Sequence, residues 1–257
     1  MGKRPKKSVV LFVVEGHSDI LTFKTSISEI YEGIDDNINV EFAIIDKDKT
    51  SNGVAGGDPF SDSWATEDNI ESKIYKRIVK PFLLDHKYYE KDISEIIQIT
   101  DMDGVYIPDS AVVENFDCEK FTYNDDGIIC NSINKALDRN KRKRNIMNKL
   151  FSVSSIKIKS KTIKYSLYFF SSNLDHFIHN NANLPLVDKT RKADEFSRKC
   201  SIEGIDYFFK LFCEDKDALQ NMTYEESWNY IRNRESMESI KRHTNFNILL
   251  NKLREQM

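Results

Sequence analysis

The chain is poor in the features that most quickly assign a protein to a class. Its four cysteines, Cys118, Cys130, Cys200 and Cys213, contain no C-x-x-C pair. Structural zinc and a disulfide framework are therefore not expected, and free thiols packed in a reducing compartment are. No run approaches the roughly 18 apolar residues that a membrane-crossing helix needs. The start, MGKRPKKSVVLFVVEG, reaches an acid before any small-residue cleavage site, so cytoplasmic residence is the expectation and no membrane partner is expected. Glycines Gly53, Gly56 and Gly57 are not followed by G-K-[ST], which excludes a Walker A loop and nucleotide hydrolysis by this chain alone. No G-x-S-x-G elbow is present either.

What remains is an ordinary globular composition. The 257 residues are 40% hydrophobic and 31% charged with a net charge of −3, enough for one substantial α/β core and a smaller appended unit. The charge is uneven. From Arg139 to Lys164 the chain carries Arg139, Lys141, Arg142, Lys143, Arg144, Lys149, Lys157, Lys159, Lys161 and Lys164 and no acid, and Lys3, Arg4, Lys6 and Lys7 precede the first apolar run. Such segments serve either as solvated faces or as tracks for a phosphate backbone. On the second reading, Arg139, Lys141, Arg142, Lys143 and Arg144 bind nucleic acid.

The pattern of elements is α/β. Ser8 to Val14 reads as a buried strand, Ser18 as the N-cap of an amphipathic helix, and Val40 to Ile45 as a second strand. Asp46 to Ser63 is long and turn-rich and is read as a lid. Thr66 to Tyr89 is a long helix expected to kink or break at Pro81. Ile93 to Thr100 is the third strand, 104–127 a loop, Asn131 to Leu150 a helix through the basic run, and Ile163 to Phe170 the fourth strand. Beyond Leu186 only helices are expected. The resulting architecture is a Rossmann-like, mostly parallel sheet of about four strands flanked by helices over 1–185, with a helical C-terminal portion over 186–257.

Two acidic motifs follow buried strands: Val13-Val14-Glu15-Gly16-His17-Ser18-Asp19 and Ile99-Thr100-Asp101-Met102-Asp103-Gly104. Open α/β sheets build their sites at carboxyl strand ends, and Glu15, Asp101 and Asp103 gathered there would bind a hard divalent cation. Asp19 either favours the helix N-terminus electrostatically or joins the metal site. His17 is a weak candidate for touching a phosphate. His176 and His179 lack the third nitrogen or sulfur ligand that zinc requires. Tyr165, Tyr168, Phe169 and Phe170 could stack bases, but strand alternation favours core packing.

An apolar strand ending in Glu-Gly, followed later by one ending in Asp-x-Asp, resembles the TOPRIM superfamily over roughly residues 8–110. Ser171-Ser172-Asn173-Leu174-Asp175-His176 is similar to a Ser-Asn-x-x-Glu type element of compact, defence-associated members, with Asp175 near the position of their glutamate. The resemblance implies a TOPRIM-type sheet and a Mg²⁺- or Mn²⁺-dependent nuclease of anti-phage defence. It implies Glu15 in acid/base or metal-positioning work, Asp101 and Asp103 holding the metal, and Asp175 as a further candidate ligand. Nucleic acid is the implied partner, along with an ATPase of the same system and a homo-oligomeric assembly. Asp101-Met102-Asp103-Gly104 also resembles the first motif of haloacid-dehalogenase-type phosphatases, with Asp101 as nucleophile and Asp103 as general acid; that reading leaves Glu15-Gly16 unexplained. A non-catalytic binding module is the third possibility.

Overall fold

The computed structural model describes residues 8–44 and 65–257. The proposed lid and the N-terminal basic group lie outside them. Five of the described strands form one sheet in the order β2-β1-β3-β8-β7. Its members are β1 (Ser8–Val14), β2 (Ile38–Ile44), β3 (Ile93–Asp101), β7 (Ser155–Ile158) and β8 (Lys161–Phe170). Strands β2, β1, β3 and β8 are parallel, and β7 pairs antiparallel with β8 at the edge. The α/β class and mostly parallel sheet thus match the sequence reading, with one strand more than expected.

The central strands are continuously apolar because helices cover both faces. One face packs against α2 (Ile70–Ile74), α3 (Lys80–His86), α4 (Ile133–Phe151) and α8 (Tyr224–Ile231), with Leu11, Ile96, Met147, Phe169 and Trp228 at its centre. The other is covered by α1 (His17–Ile34), α5 (Leu174–His179), α6 (Leu186–Glu203), α7 (Ile205–Glu214) and α9 (Phe246–Arg254). Phe12, Phe23, Phe170, Phe212 and Phe246 form the core on that side, so residues from both sides of Pro185 share one hydrophobic cluster.

Three local differences have physical causes. The helix expected over Thr66 to Tyr89 spans α2 and α3 with a π-helical turn, Tyr75–Val79, between them. Pro81 follows directly on the π-helical turn in backbone that is helical on both sides, so its missing N–H and ring coincide with a shift of hydrogen-bond register and not with a break. The segment 104–127 is not merely a loop. Within it lie β4 (Val112–Glu114) and β5 (Thr122–Asn124), which pack with β6 (Gly127–Cys130) into a small separate sheet. Their three- and four-residue lengths carry almost no periodicity. Helix α1 is capped at Gly16, not Ser18: the Asp19 carboxylate accepts the Gly16 N–H at 3.0 Å.

Candidate functional site: a carboxylate cluster balanced by lysines

The parallel register brings the ends of β1 and β3 side by side. The turn after β1 places Glu15 against the end of β3, where its Oε1 accepts the Thr100 hydroxyl at 2.7 Å and the Asp101 N–H at 3.0 Å. Asp19 accepts the N–H groups of both Glu15 and Gly16 at 3.0 Å through one oxygen, Oδ2. The geometry of Asp19 is that of a helix-start carboxylate, and it also stands within the electrostatic reach of Asp101.

The Asp-x-Asp-Gly turn is stitched to the end of β8. Met102, Asp103 and Gly104 donate their N–H groups to the carbonyls of Phe170, Ser172 and Ser171 at 2.8, 2.8 and 3.1 Å. Asp103 has φ 54° and Gly104 φ 63°, both left-handed. Asp tolerates that region better than most residues. At 104 glycine is required twice over, since a Cβ there would come within 2.3 Å of Ile240 Cδ1. Asp101 Oδ1 accepts the Leu174 N–H at 2.9 Å, tying the β3 end to the start of α5.

Two lysines supply counter-charge. Lys143, from α4, is fully buried (0% exposed side chain) and its Nζ lies 2.8 Å from Asp103 Oδ2. Arg139, one turn earlier, donates to the Asp103 carbonyl at 3.3 Å. Lys189, from α6, pairs with Asp175 at 2.6 Å. Its ammonium is disfavoured by burial, but Asp175, Asp101 and Asp19 outweigh that and push its pKa up.

The carboxylates respond in opposite directions. Burial, then Glu15, Asp19 and Asp103, push Asp101 well above the usual carboxylate range. Asp19 is raised to about 6, chiefly by burial, with the Gly16 N–H and Lys189 opposing. Burial would also raise Asp103, but Lys143 and Arg139 outweigh it and hold it low. Glu15, Asp19, Asp101, Asp103 and Asp175 therefore share one electrostatic neighbourhood with Lys143, Arg139 and Lys189. Negative charge is in excess when all are ionised.

These are hard oxygen donors of the type Mg²⁺ prefers. Among the described residues no group of three or more His, Cys, Asp or Glu is arranged to enclose a metal ion. An ion at this edge would therefore need waters or substrate oxygens to complete its shell.

The proposed nucleic-acid track divides by burial. Lys141 and Arg142 are exposed, but Arg139, Lys143 and Arg144 are 8%, 0% and 9% exposed. They lie on the inward side of α4, where they balance Asp103 and hold the backbone of the acidic turn through the Asp103 and Val105 carbonyls. A sequence displays a charge without its partner, and here the partners are 36 to 40 positions away. Lys189 was missed for the same reason: no motif surrounds it.

Other candidates resolve plainly. Tyr165, Tyr168, Phe169 and Phe170 are buried in the core. His17 is exposed, and His176 Nδ1 is buried with no hydrogen-bond partner. All four cysteines are free thiols, three of them buried. A cleft of about 650 Å³ is lined by Ser8, Ser94 and Lys164 among others. These residues mark the amino ends of β1 and β3 and the early part of β8, so it opens away from the carboxylates. Among the described residues no helix is long and apolar enough to cross a membrane. The chain matches no family model, and comparison with curated proteins and with solved structures finds no significant match.

Proposed function

We propose that the carboxylate cluster is the centre of a metal-dependent phosphodiester hydrolase acting on DNA or RNA. The observation that carries this reading is the crowding of Asp101 by Glu15, Asp19 and Asp103 at the carboxyl edge of the central parallel strands. Mutual repulsion of that kind is relieved by a divalent cation, and a carboxyl strand edge is where open α/β sheets work.

Glu15, Asp101 and Asp103 would hold Mg²⁺ or Mn²⁺. The ion, when bound, lowers the pKa of a coordinated water and stabilises charge on the departing oxygen. The chain's own residues do the rest. Thr100 and the Asp101 N–H fix the Glu15 carboxylate. Lys143 keeps Asp103 ionised. Lys189 offsets the negative charge that would otherwise repel a phosphate. The TOPRIM-type sheet, a role in anti-phage defence, cytoplasmic residence, an ATPase partner and homo-oligomerisation belong to the same proposal through the Glu-Gly and Asp-x-Asp resemblance alone.

The phosphatase reading ranks second. It leaves Glu15 and Gly16 without a role, and the buried lysine pairs with Asp103 and not with Asp101, the nucleophile that reading requires. The test is incubation of the purified chain with plasmid, single-stranded DNA and transfer RNA in Mg²⁺ or Mn²⁺, beside Glu15→Gln and Asp101→Asn. Cleavage by the natural chain that both variants lose supports the proposal. Equal cleavage by Glu15→Gln, or turnover of phosphate monoesters without cutting of polymers, overturns it.

A further inference from the structure

Between α4, α8 and the segment following α8 lies an open cleft of about 370 Å³ whose wall is largely arginine and asparagine. That volume falls in the range of small-ligand sites. Arg144 enters from α4; Arg232 and Arg234 enter from the segment after Ile231; Asn145, Asn148 and Asn233 stand among them.

Each guanidinium is anchored and incompletely used. Arg144 Nη1 donates to the Val105 carbonyl at 2.7 Å and lies 3.7 Å from Asp109. Arg234 pairs with the same Asp109 carboxylate through Nη2. Arg232 donates through Nη2 to Asn229, and its guanidinium carbon lies 4.3 Å from the Phe151 ring centroid. A guanidinium has five N–H donors on three nitrogens; the described hydrogen bonds and ion pairs use one nitrogen on each. Asp109 thus answers two of three closely held cations. Burial and then the like charge of Arg234 lower the Arg144 pKa, as expected of cations gathered without a full set of counter-ions. Asparagine amides add neutral donors without cancelling that charge. Planar forks converging in one cleft match phosphate oxygens, which accept two parallel N–H bonds from one guanidinium.

The location narrows the ligand. Arg144 grips Val105, two residues after Asp103 and therefore within about 7 Å of it along the chain, and Tyr106 lines the cleft. The cleft thus borders the chain that leaves the Asp101–Asp103 turn. We propose that this cleft binds a phosphate group of a nucleic-acid backbone, holding the strand next to the carboxylates. The choice of a backbone phosphate over a free phosphoanion rests on the phosphodiesterase reading above; the phosphate chemistry itself does not.

The test measures binding in EDTA, so that cutting plays no part. A fluorescent single-stranded oligonucleotide is titrated by anisotropy over a range of salt against the full chain and against the double variant Arg232→Gln/Arg234→Gln. The control double variant Lys210→Gln/Lys216→Gln removes the same charge from exposed positions elsewhere. Inorganic phosphate and pyrophosphate are titrated by calorimetry, and circular dichroism confirms that both variants fold. Loss of about ten-fold or more in oligonucleotide affinity, with the salt slope reduced by roughly 0.7 per lost phosphate contact, is expected for the arginine variant and not the control. Unchanged oligonucleotide binding overturns the proposal, and does so also if pyrophosphate binding alone depends on the arginines, which would mark a free-phosphoanion site. A natural chain that binds the oligonucleotide through these arginines but never cuts it sinks the hydrolase reading and leaves this one standing; cutting with arginine-independent binding does the reverse.

Discussion

Lys143 Nζ lies 2.8 Å from Asp103 Oδ2, and the lysine side chain has no exposure at all. A buried ammonium is tolerated only with a charged partner, so this pair fixes the orientation of α4 to the acidic turn whatever chemistry the turn performs. Lys143→Met leaves the partly buried Asp103 (19% exposed side chain) without its main counter-charge and is expected to cost about 2–4 kcal/mol, somewhat less than a fully buried pair, or roughly 4–16 °C in Tm. The double variant Lys143→Met/Asp103→Leu removes both charges and is expected to recover part of that loss. Thermal unfolding of the three proteins checks it; equal Tm for natural and Lys143→Met protein would show that the pair contributes nothing.

Asp19 and Asp101 give the stability a pH slope. Both are raised, Asp19 to about 6, so between the unfolded value near 3.8 and about 6 the native state binds more protons than the unfolded state. Stability then falls as pH rises through that window. Glu238, held at about 2 by Lys241, Tyr230 and His243 against its burial, acts the other way, but its contribution is lost only on descent below about 4.5. Urea unfolding in EDTA at about pH 5 and pH 7.5 is expected to show lower stability at the higher pH, with the difference reduced in Asp19→Asn. Because burial lowers the pKa of His176 and His179, which act in the opposite sense over part of this window, the deciding quantity is the effect of the variant: a pH difference unaltered by Asp19→Asn would contradict the raised Asp19.

The same repulsion predicts a metal response. Once the carboxylates ionise, a divalent cation has its largest effect, stabilising by RT ln(1 + [L]/Kd). Millimolar Mn²⁺ is expected to raise Tm at about pH 7.5 and to do little at about pH 5, where protons compete. Asp101→Asn should abolish the rise. Equal shifts in the variant would place the ion elsewhere.

The strands that build this site were legible because burial on both faces leaves uninterrupted apolar runs: Ser8–Val14 coincides with β1, and Ile93 to Thr100 with nearly all of β3. The need for glycine at 104 was not legible, because the left-handed backbone and the neighbouring Ile240 that favour it appear only in the fold. What escaped was every relation between distant residues. Strand β7, Ser155–Ile158, has only four residues interrupted by Lys157. The charges of α4 looked like a surface because nothing local marks Asp103 as the partner of Lys143. Lys189 looks ordinary in sequence and acquires its importance only where α6 crosses α1 and meets Asp175.

The helical segment after Pro185 is bound to the sheet by aromatic packing, with Phe212 as its hub. Its ring lies 5.8 Å from Phe23, 6.1 Å from Phe170, 5.5 Å from Phe177, 4.7 Å from Phe208 and 5.6 Å from Phe246, joining α1, β8, α5 and α9 around α7. Phe212→Ala should cost about 3–5 kcal/mol, transfer and cavity terms together. Because Phe23 and Phe170 belong to the sheet side of that cluster, the loss should lower the stability of the whole chain in one transition. Far-ultraviolet circular dichroism and, in a Trp64→Phe background that leaves one tryptophan, the fluorescence of Trp228, which sits on the opposite face of the sheet, are expected to report the same shifted midpoint. Two separated midpoints, with the tryptophan signal unmoved, would mean that α6, α7 and α9 leave their face of the sheet independently of α8 and the opposite face, and that the aromatic cluster does not couple the two faces.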